Sequence, residues 1–285
     1  MAKMKPSAKV TVPLLNRATG IFKESTECGF GPTKGSESPL ATEGRQGESP
    51  VNALIFDYGG TLDTRGRHWA HVIWDGYKEA RIPVTEEQFR EAYVYAERAL
   101  AKAPIVLPTD NFRDLMQKKL EVETQHLVEM GAWQPTVGER RRLSDQVALY
   151  CYEQARQTVM ESRQTLLRLS KRYPMVLVSN FYGNIQTILQ NFQLSEFFPQ
   201  VIESAVVGVR KPDPAIYQLG VDAIGLPAQE VMVVGDSYGK DIVPAKRVGC
   251  QAAWFEGPGW APEEVDRSLP DHIITHLSDL EKILL

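Results

Sequence analysis

Cysteine is scarce in this 285-residue chain: Cys28, Cys151 and Cys250 are the only three. They are scattered and odd in number, and their spacing matches neither a thiolate metal site nor a disulfide framework. A reducing compartment, and so a cytoplasmic location, is the expectation. Long apolar runs are missing as well; none approaches the roughly 18 residues that a membrane span needs. No apolar stretch of adequate length follows Met1–Lys5, which argues against a secretory signal. Basic residues are not in excess. The 32 Lys and Arg face 36 Asp and Glu, a net charge of -4, whereas a nucleic-acid partner would call for a clustered basic surplus. What is present is ordinary for a globular protein, with 43% apolar and 24% charged residues. The length allows one large domain or two smaller ones.

The first 51 residues are read as an unstructured tail. From Gly20 to Pro50 the chain is rich in Gly, Ser, Glu, Lys, Pro and Thr, without helical or strand periodicity. Such a segment buries too little apolar surface to offset its ordering entropy. At Val51 the pattern changes. Ala53-Leu54-Ile55-Phe56 is a short apolar run stopped by Asp57 and the pair Gly59-Gly60, as suits a strand buried on both faces of a parallel sheet. Met175–Val178 and Val231–Val234 share that grammar, with Val201–Val207, Gln251–Phe255 and His272–Ile274 as further candidate strands. Helical patterns lie between them at Thr165–Arg172, Pro214–Ile224 and Asp241–Val248. This alternation predicts an α/β domain with a mostly parallel sheet.

Between Gly66 and Ser162 no convincing strand occurs. Four amphipathic patterns, His68–Ala80, Thr85–Lys102, Asp110–Gly131 and Thr136–Ser162, predict an all-helical insertion. Thr85 and Asp110 have the character of helix caps. The expected organisation is therefore a tail over 1–51, an α/β core over 52–65 and 163–285, and a helical cap over 66–162.

In a parallel sheet, ligands bind at the carboxyl ends of the strands. The residues there are Asp57, Thr61 and Asp63 after the first strand, and Ser179 and Asn180 after Met175–Val178. Arg210-Lys211-Pro212 follow Val207, and Asp236, Ser237 and Asp241 follow Val231–Val234. So many carboxylates in one crevice repel one another unless a hard divalent cation joins them.

These residues carry a family resemblance. Asp57-Tyr58-Gly59-Gly60-Thr61-Leu62-Asp63 resembles the first motif of the haloacid dehalogenase superfamily, most of whose members are phosphohydrolases. Ser179 resembles the second motif, Lys211-Pro212-Asp213-Pro214 the third, and Gly235-Asp236-Ser237 with Asp241 the fourth. Their order around a helical insertion is that of phosphatase-type members with a helical cap between the first two motifs, and it covers residues 52–285. The resemblance implies a Rossmann-like three-layer core and a small phosphorylated substrate. It makes Asp57 the nucleophile that forms an aspartyl-phosphate. It also implies Mg²⁺ held by Asp57, the Gly59 carbonyl and Asp236, with support from Asp241. Thr61, Ser179 and Asn180 would bind phosphoryl oxygens, and Lys211 would neutralise charge on Asp57 and the phosphoryl group.

One position departs from the pattern. Two residues after the nucleophile these phosphatases carry a second aspartate, a general acid and base, and here Gly59 stands in its place. General acid–base help is worth about 10²–10⁴-fold, most of all for poor leaving groups. Three readings compete. One is a specialised phosphohydrolase, with a leaving group that needs little protonation or with Asp63, Tyr58 or His68 as substitute acid. Another is a phosphonatase-like C–P hydrolase using a cap lysine such as Lys102, Lys118 or Lys119. The last is a non-catalytic protein that binds a phosphorylated ligand. Arg65, Arg67, His68 and Trp69 open the cap and either grip a second anionic group or sit solvated at the hinge.

Overall fold

The computed structural model describes residues 49–260 and 262–285. The expected tail, and Cys28 with it, falls outside them apart from residues 49–51. Six strands form one wholly parallel sheet: β1 (Ala53–Phe56), β2 (Met175–Ser179), β3 (Gln200–Glu203), β4 (Val231–Gly235), β5 (Gln251–Phe255) and β6 (His272–Ile274). They lie in the order β3-β2-β1-β4-β5-β6. Successive strands run outward in one direction from β1 and in the other from β4. The crevice between the ends of β1 and β4 is thus the topological switch point, where open α/β sheets place their ligands.

Every residue of β1, β2 and β4 is buried, which is why these strands read as unbroken apolar runs rather than alternating ones. Alternate residues serve opposite faces. Leu54, Phe56, Leu177, Met232 and Val234 join one apolar cluster, whereas Ala53, Ile55, Val178, Val231 and Val233 join another. The second cluster is completed by Ile216, Tyr217 and Val221 from the helix over Ala215–Ile224. Gly220 in that helix comes so close that a Cβ there would meet Ile55 and Val178 side chains at 2.9 Å.

Between β1 and β2 lie four helices: α1 (Trp69–Glu79), α2 (Glu86–Lys102), α3 (Phe112–Glu129) and α4 (Val137–Leu169). Thr85 caps α2 in a reciprocal box with Gln88, as its sequence predicts. Asp110 does not cap α3; Asn111 does, and Asp110 accepts instead from the Leu107 amide and pairs with Lys118. The helix patterns expected over Thr136–Ser162 and Thr165–Arg172 prove to be one. α4 runs unbroken for 33 residues, about 50 Å, with Ser162, Thr165 and Leu166 all on its buried side. The pattern over Val201–Val207 divides the other way: β3 ends at Glu203 and Ser204–Val207 is a single helical turn, α5, closed by Gly208. Glu203 ends its strand with its carboxylate turned back to the Gly183 amide at 2.5 Å, a register that the apolar spacing alone does not reveal. Among the described residues no helix is long and apolar enough to cross a membrane.

Candidate functional site

The chain leaves β1 at Asp57 and turns at once. Gly60 takes φ +100°, and a Cβ there would stand 2.3 Å from the Asp236 carboxylate, so only glycine lets the turn press against the neighbouring strand end. The turn is fastened by the Gly60 amide donating to Asp63 Oδ1 at 2.8 Å. Thr61, wholly buried, then lies between two strands' carboxylates, its hydroxyl 3.1 Å from Asp236 Oδ1 and 3.4 Å from Asp57 Oδ2. Ser179, at the end of β2, donates to Asp57 Oδ1 at 3.3 Å.

Lys211 comes from the loop after Gly208. Its ammonium is 2.5 Å from Asp57 Oδ1 and 2.8 Å from Asp241 Oδ1, in a pocket where all three side chains are buried. Asn180 holds the loop in place: its amide accepts from the Lys211 N–H at 2.9 Å and donates to the Lys211 carbonyl at 3.1 Å. Both ends of the Asn180 amide are thus engaged by the Lys211 backbone, with one of its two N–H donors left over among the described residues. Asp241 is engaged on both oxygens, as Asp57 is. It accepts from Lys211 and from the Tyr217 hydroxyl at 2.7 Å on one oxygen, and from the Ser237 amide at 2.9 Å on the other. Asp236 is steadied through its carbonyl, which accepts from the Trp254 indole at 2.9 Å.

Asp57, Asp236 and Asp241 each offer a carboxylate oxygen within 4.8 Å of the others. Burial pushes Asp57 up to about 6, with Lys211 opposing the rise and Asp241 adding to it. Burial, then Asp241 and Asp57, also drive Asp236 well above the usual carboxylate range. Burial works against the charge on Lys211, yet Asp241 and Asp57 hold it above the ordinary lysine range. One ammonium therefore faces three carboxylates, so the pocket is short of positive charge. A small hard cation with oxygen ligands fits such a donor set.

Gly59 is open. A Cβ there would meet only the Trp69 ring, at 3.8 and 3.9 Å, and its backbone is not left-handed. The candidate substitute acids do not fill the gap. Asp63 is 1% exposed and tied on both oxygens, by Gly60 and by the Trp69 indole at 3.0 Å, with burial raising it to about 8. The Tyr58 ring is sealed edge-on against Phe181, and its hydroxyl has no partner among the described residues. His68 caps α1 by accepting from the Ala70 amide, and burial lowers it to about 4. Arg65 and Arg67 do not reach for a substrate either; they pair with Glu161 and Asp75. Neither Tyr217 nor the Trp69–Asp63 contact is signalled by residue order, because each depends on where a helix meets the β1 or β4 loop.

A sequence model of haloacid dehalogenase-like hydrolases matches residues 51–249. The glyceraldehyde 3-phosphate phosphatase of Pyrococcus furiosus is 33% identical over 127 residues, 43% of this chain and 52% of that one. The phosphoglycolate phosphatase of Photorhabdus laumondii is 32% identical over 238 residues, 81% of this chain and 91% of that one. The match to the Pyrococcus phosphatase thus spans about half of that protein's length, while the Photorhabdus one is matched almost throughout. Among solved structures, a HAD-hydrolase from Bacillus subtilis bound to magnesium superposes with a TM-score of 0.54 at 18% identity, over 83% of this chain and 99% of that one. At that identity the likeness is one of fold.

Proposed function

This chain belongs to the haloacid dehalogenase-like hydrolase family, and on that premise we propose that it is a phosphohydrolase acting on a small phosphorylated metabolite. The observation that carries the proposal is the surroundings of Asp57. Its Oδ1 faces Lys211 and Ser179, and its Oδ2 faces Thr61. A carboxylate so placed at the switch point can attack phosphorus and form an aspartyl-phosphate, which water then cleaves. Lys211 offsets charge on Asp57 and on the incoming phosphoryl group, while Thr61 and Ser179 offer hydroxyl donors to its oxygens. Asn180 sets the Lys211 backbone and so aims the ammonium. Positioning and electrostatics of this kind supply most of the catalysis in phosphoryl transfer. When bound, Mg²⁺ on Asp57, the Gly59 carbonyl and Asp236 supplies further positive charge to the phosphoryl oxygens. Asp241 holds Lys211 and the Ser237 amide, which makes it a support for that site. The four helices between β1 and β2 serve as a cap over the crevice, and a cytoplasmic location fits the buried free thiols of Cys151 and Cys250.

Gly59 leaves the leaving-group oxygen without a carboxyl acid, and the nearest acids are tied elsewhere. The favoured substrates therefore have leaving groups that need little protonation, acyl phosphates above alkyl esters. Of the two competing readings, a C–P hydrolase needs a free cap amine. Lys118 is paired with Asp110, Lys119 with Glu97, and Lys102 lies exposed at the far end of α2, which favours phosphate chemistry. The test is hydrolysis of acetyl phosphate and of an alkyl phosphate with Mg²⁺ and with chelator. Turnover that favours acetyl phosphate and vanishes in Asp57→Asn is expected. No Asp57-dependent turnover on either would leave a binding protein.

A further inference from the structure

The turn that follows Asp57 has one opening. From Ala53 to Thr64 every residue is buried except Gly59. Among the described residues and apart from its chain neighbours, a Cβ placed there would meet only Cδ1 and Nε1 of Trp69, at 3.8 and 3.9 Å. Trp69 is itself partly exposed, so the opening two residues from Asp57 has the indole as its wall. The ring is firmly placed. It stands on the first residue of α1, and its N–H donates to Asp63 Oδ2 at 3.0 Å. It packs against Phe112 at 5.4 Å, and Phe112 packs in turn against Phe192 at 5.4 Å. An indole has a single polar hydrogen, and Asp63 takes it.

This wall offers a ligand neither charge nor a spare hydrogen bond. Arg65 and Arg67, between Gly59 and the helix, are paired with Glu161 and Asp75. His68 packs its ring on Tyr93 and Trp260, and burial lowers it to about 4, which leaves it neutral near pH 7. No cation figures among the groups that most affect Asp63, the partner of the indole. A carboxylate or a run of hydroxyls brought here would give up water without a partner. A flat apolar ring would instead gain an edge-to-face contact with the indole. Gly59 adds a separate demand: with no carboxyl acid beside it, the leaving oxygen has to depart as an anion. A phenolate does so readily, being a far weaker base than an alkoxide.

Resting on the phosphohydrolase reading, we propose that Trp69 is a specificity-determining residue and that the substrates are aryl phosphates, whose ring lies against the indole edge beside Gly59. A carboxylate oxygen of Asp57 forms the new bond to phosphorus. The P–O bond to the ring breaks with its electron pair on the phenolate, which takes a proton from solvent after it departs. Water then releases phosphate from Asp57. The missing acid and the apolar wall thus select the same leaving group, one through its basicity and the other through its shape.

The test compares kcat/KM, with Mg²⁺, for phenyl phosphate, phosphoglycolate and acetyl phosphate. Wild type should favour phenyl phosphate over phosphoglycolate. Acetyl phosphate has a good leaving group without a ring, so the ratio of phenyl to acetyl phosphate reports on recognition of the ring. That ratio should fall about tenfold in Trp69→Leu, mainly through KM. It should be largely kept in Trp69→Phe, which retains a ring and loses the indole N–H. Phenylphosphonate should inhibit acetyl phosphate turnover more strongly than methylphosphonate in wild type and in Trp69→Phe, and lose that advantage in Trp69→Leu. Were Trp69 only a prop for Asp63, both variants would lower both substrates together and leave the ratio unmoved. That result, or a wild type that prefers phosphoglycolate, would overturn the assignment while the phosphohydrolase reading stands. Absence of Asp57-dependent turnover on all three substrates would instead remove that reading and this one together.

Discussion

The indole N–H of Trp69 donates to Asp63 Oδ2 at 3.0 Å, and the same ring closes the space beside Gly59. The contact joins α1 to the turn that follows Asp57. It leaves ordinary van der Waals room for a side chain at Gly59, whose φ is one that any residue adopts. Gly59→Asp should therefore fold like the wild type. It should also raise alkyl phosphate hydrolysis by an order of magnitude or more, with a smaller gain on acetyl phosphate. Steady-state rates on the two substrates check this; equal gains on both would point to a defect other than leaving-group protonation.

Gly60 is the opposite case. A methyl group there would collide with Asp236 at 2.3 Å in a left-handed backbone. Gly60→Ala should cost about 1–3 kcal/mol or more of stability, from strain and overpacking together. Thermal unfolding and activity should fall in parallel.

The three clustered carboxylates predict a response to metal. Mg²⁺ should raise the melting temperature of the wild type, because it binds the folded state alone. Asp236→Asn removes a charge that burial, Asp241 and Asp57 all oppose, so it should melt higher than the wild type in chelator. It should also lose the Mg²⁺-induced rise. Scanning calorimetry with Mg²⁺ and with chelator tests both halves.

Glu123 predicts a pH dependence. It is fully buried in the helical layer, its Oε2 accepts from the Tyr77 hydroxyl at 3.2 Å, and its Oε1 has no partner among the described residues. Burial raises it to about 7, with Lys119 opposing and Glu97 adding to the rise. The folded state keeps this proton where the unfolded chain, titrating near 4.5, releases it. The stabilisation is thus complete below about pH 4.5, declines as pH rises towards 7, and is lost above that, a change on the order of 3 kcal/mol. Glu123→Gln should remove this decline, and its advantage over wild type should grow from pH 5 to pH 8 in chemical denaturation.

Much of the site could be read from residue order. Asp57, Ser179, Lys211 and Asp236 follow apolar runs or a Lys-Pro turn, and a parallel sheet brings such ends together whatever the intervening helices do. Asn180 shows the limit of that reasoning. Its position at a strand end predicts a ligand contact but does not reveal that its amide also holds the Lys211 backbone, a pairing between residues 31 apart in the chain. The boundary of the insertion shows another limit. Ser162 and Thr165 sit on one face of α4 because helical periodicity runs straight through them, so no break marks the passage from one layer to the other.

The amino-acid sequence by itself determined the α/β class, the helical insertion, the order of the strand-end residues and the missing carboxyl at Gly59. Those are local properties: short apolar runs, amphipathic spacing, and which residue stands at a turn. Tertiary structure decided which side chains are free to act. It gave Arg65 and Arg67 to Glu161 and Asp75, tied Asp63 under Trp69, and set the buried Lys119 beside Glu97 and Tyr182. Each outcome depends on contacts between elements far apart in the chain. Burial and the nearest opposite charge, which fix a side chain's protonation and reach, exist only once those elements have packed.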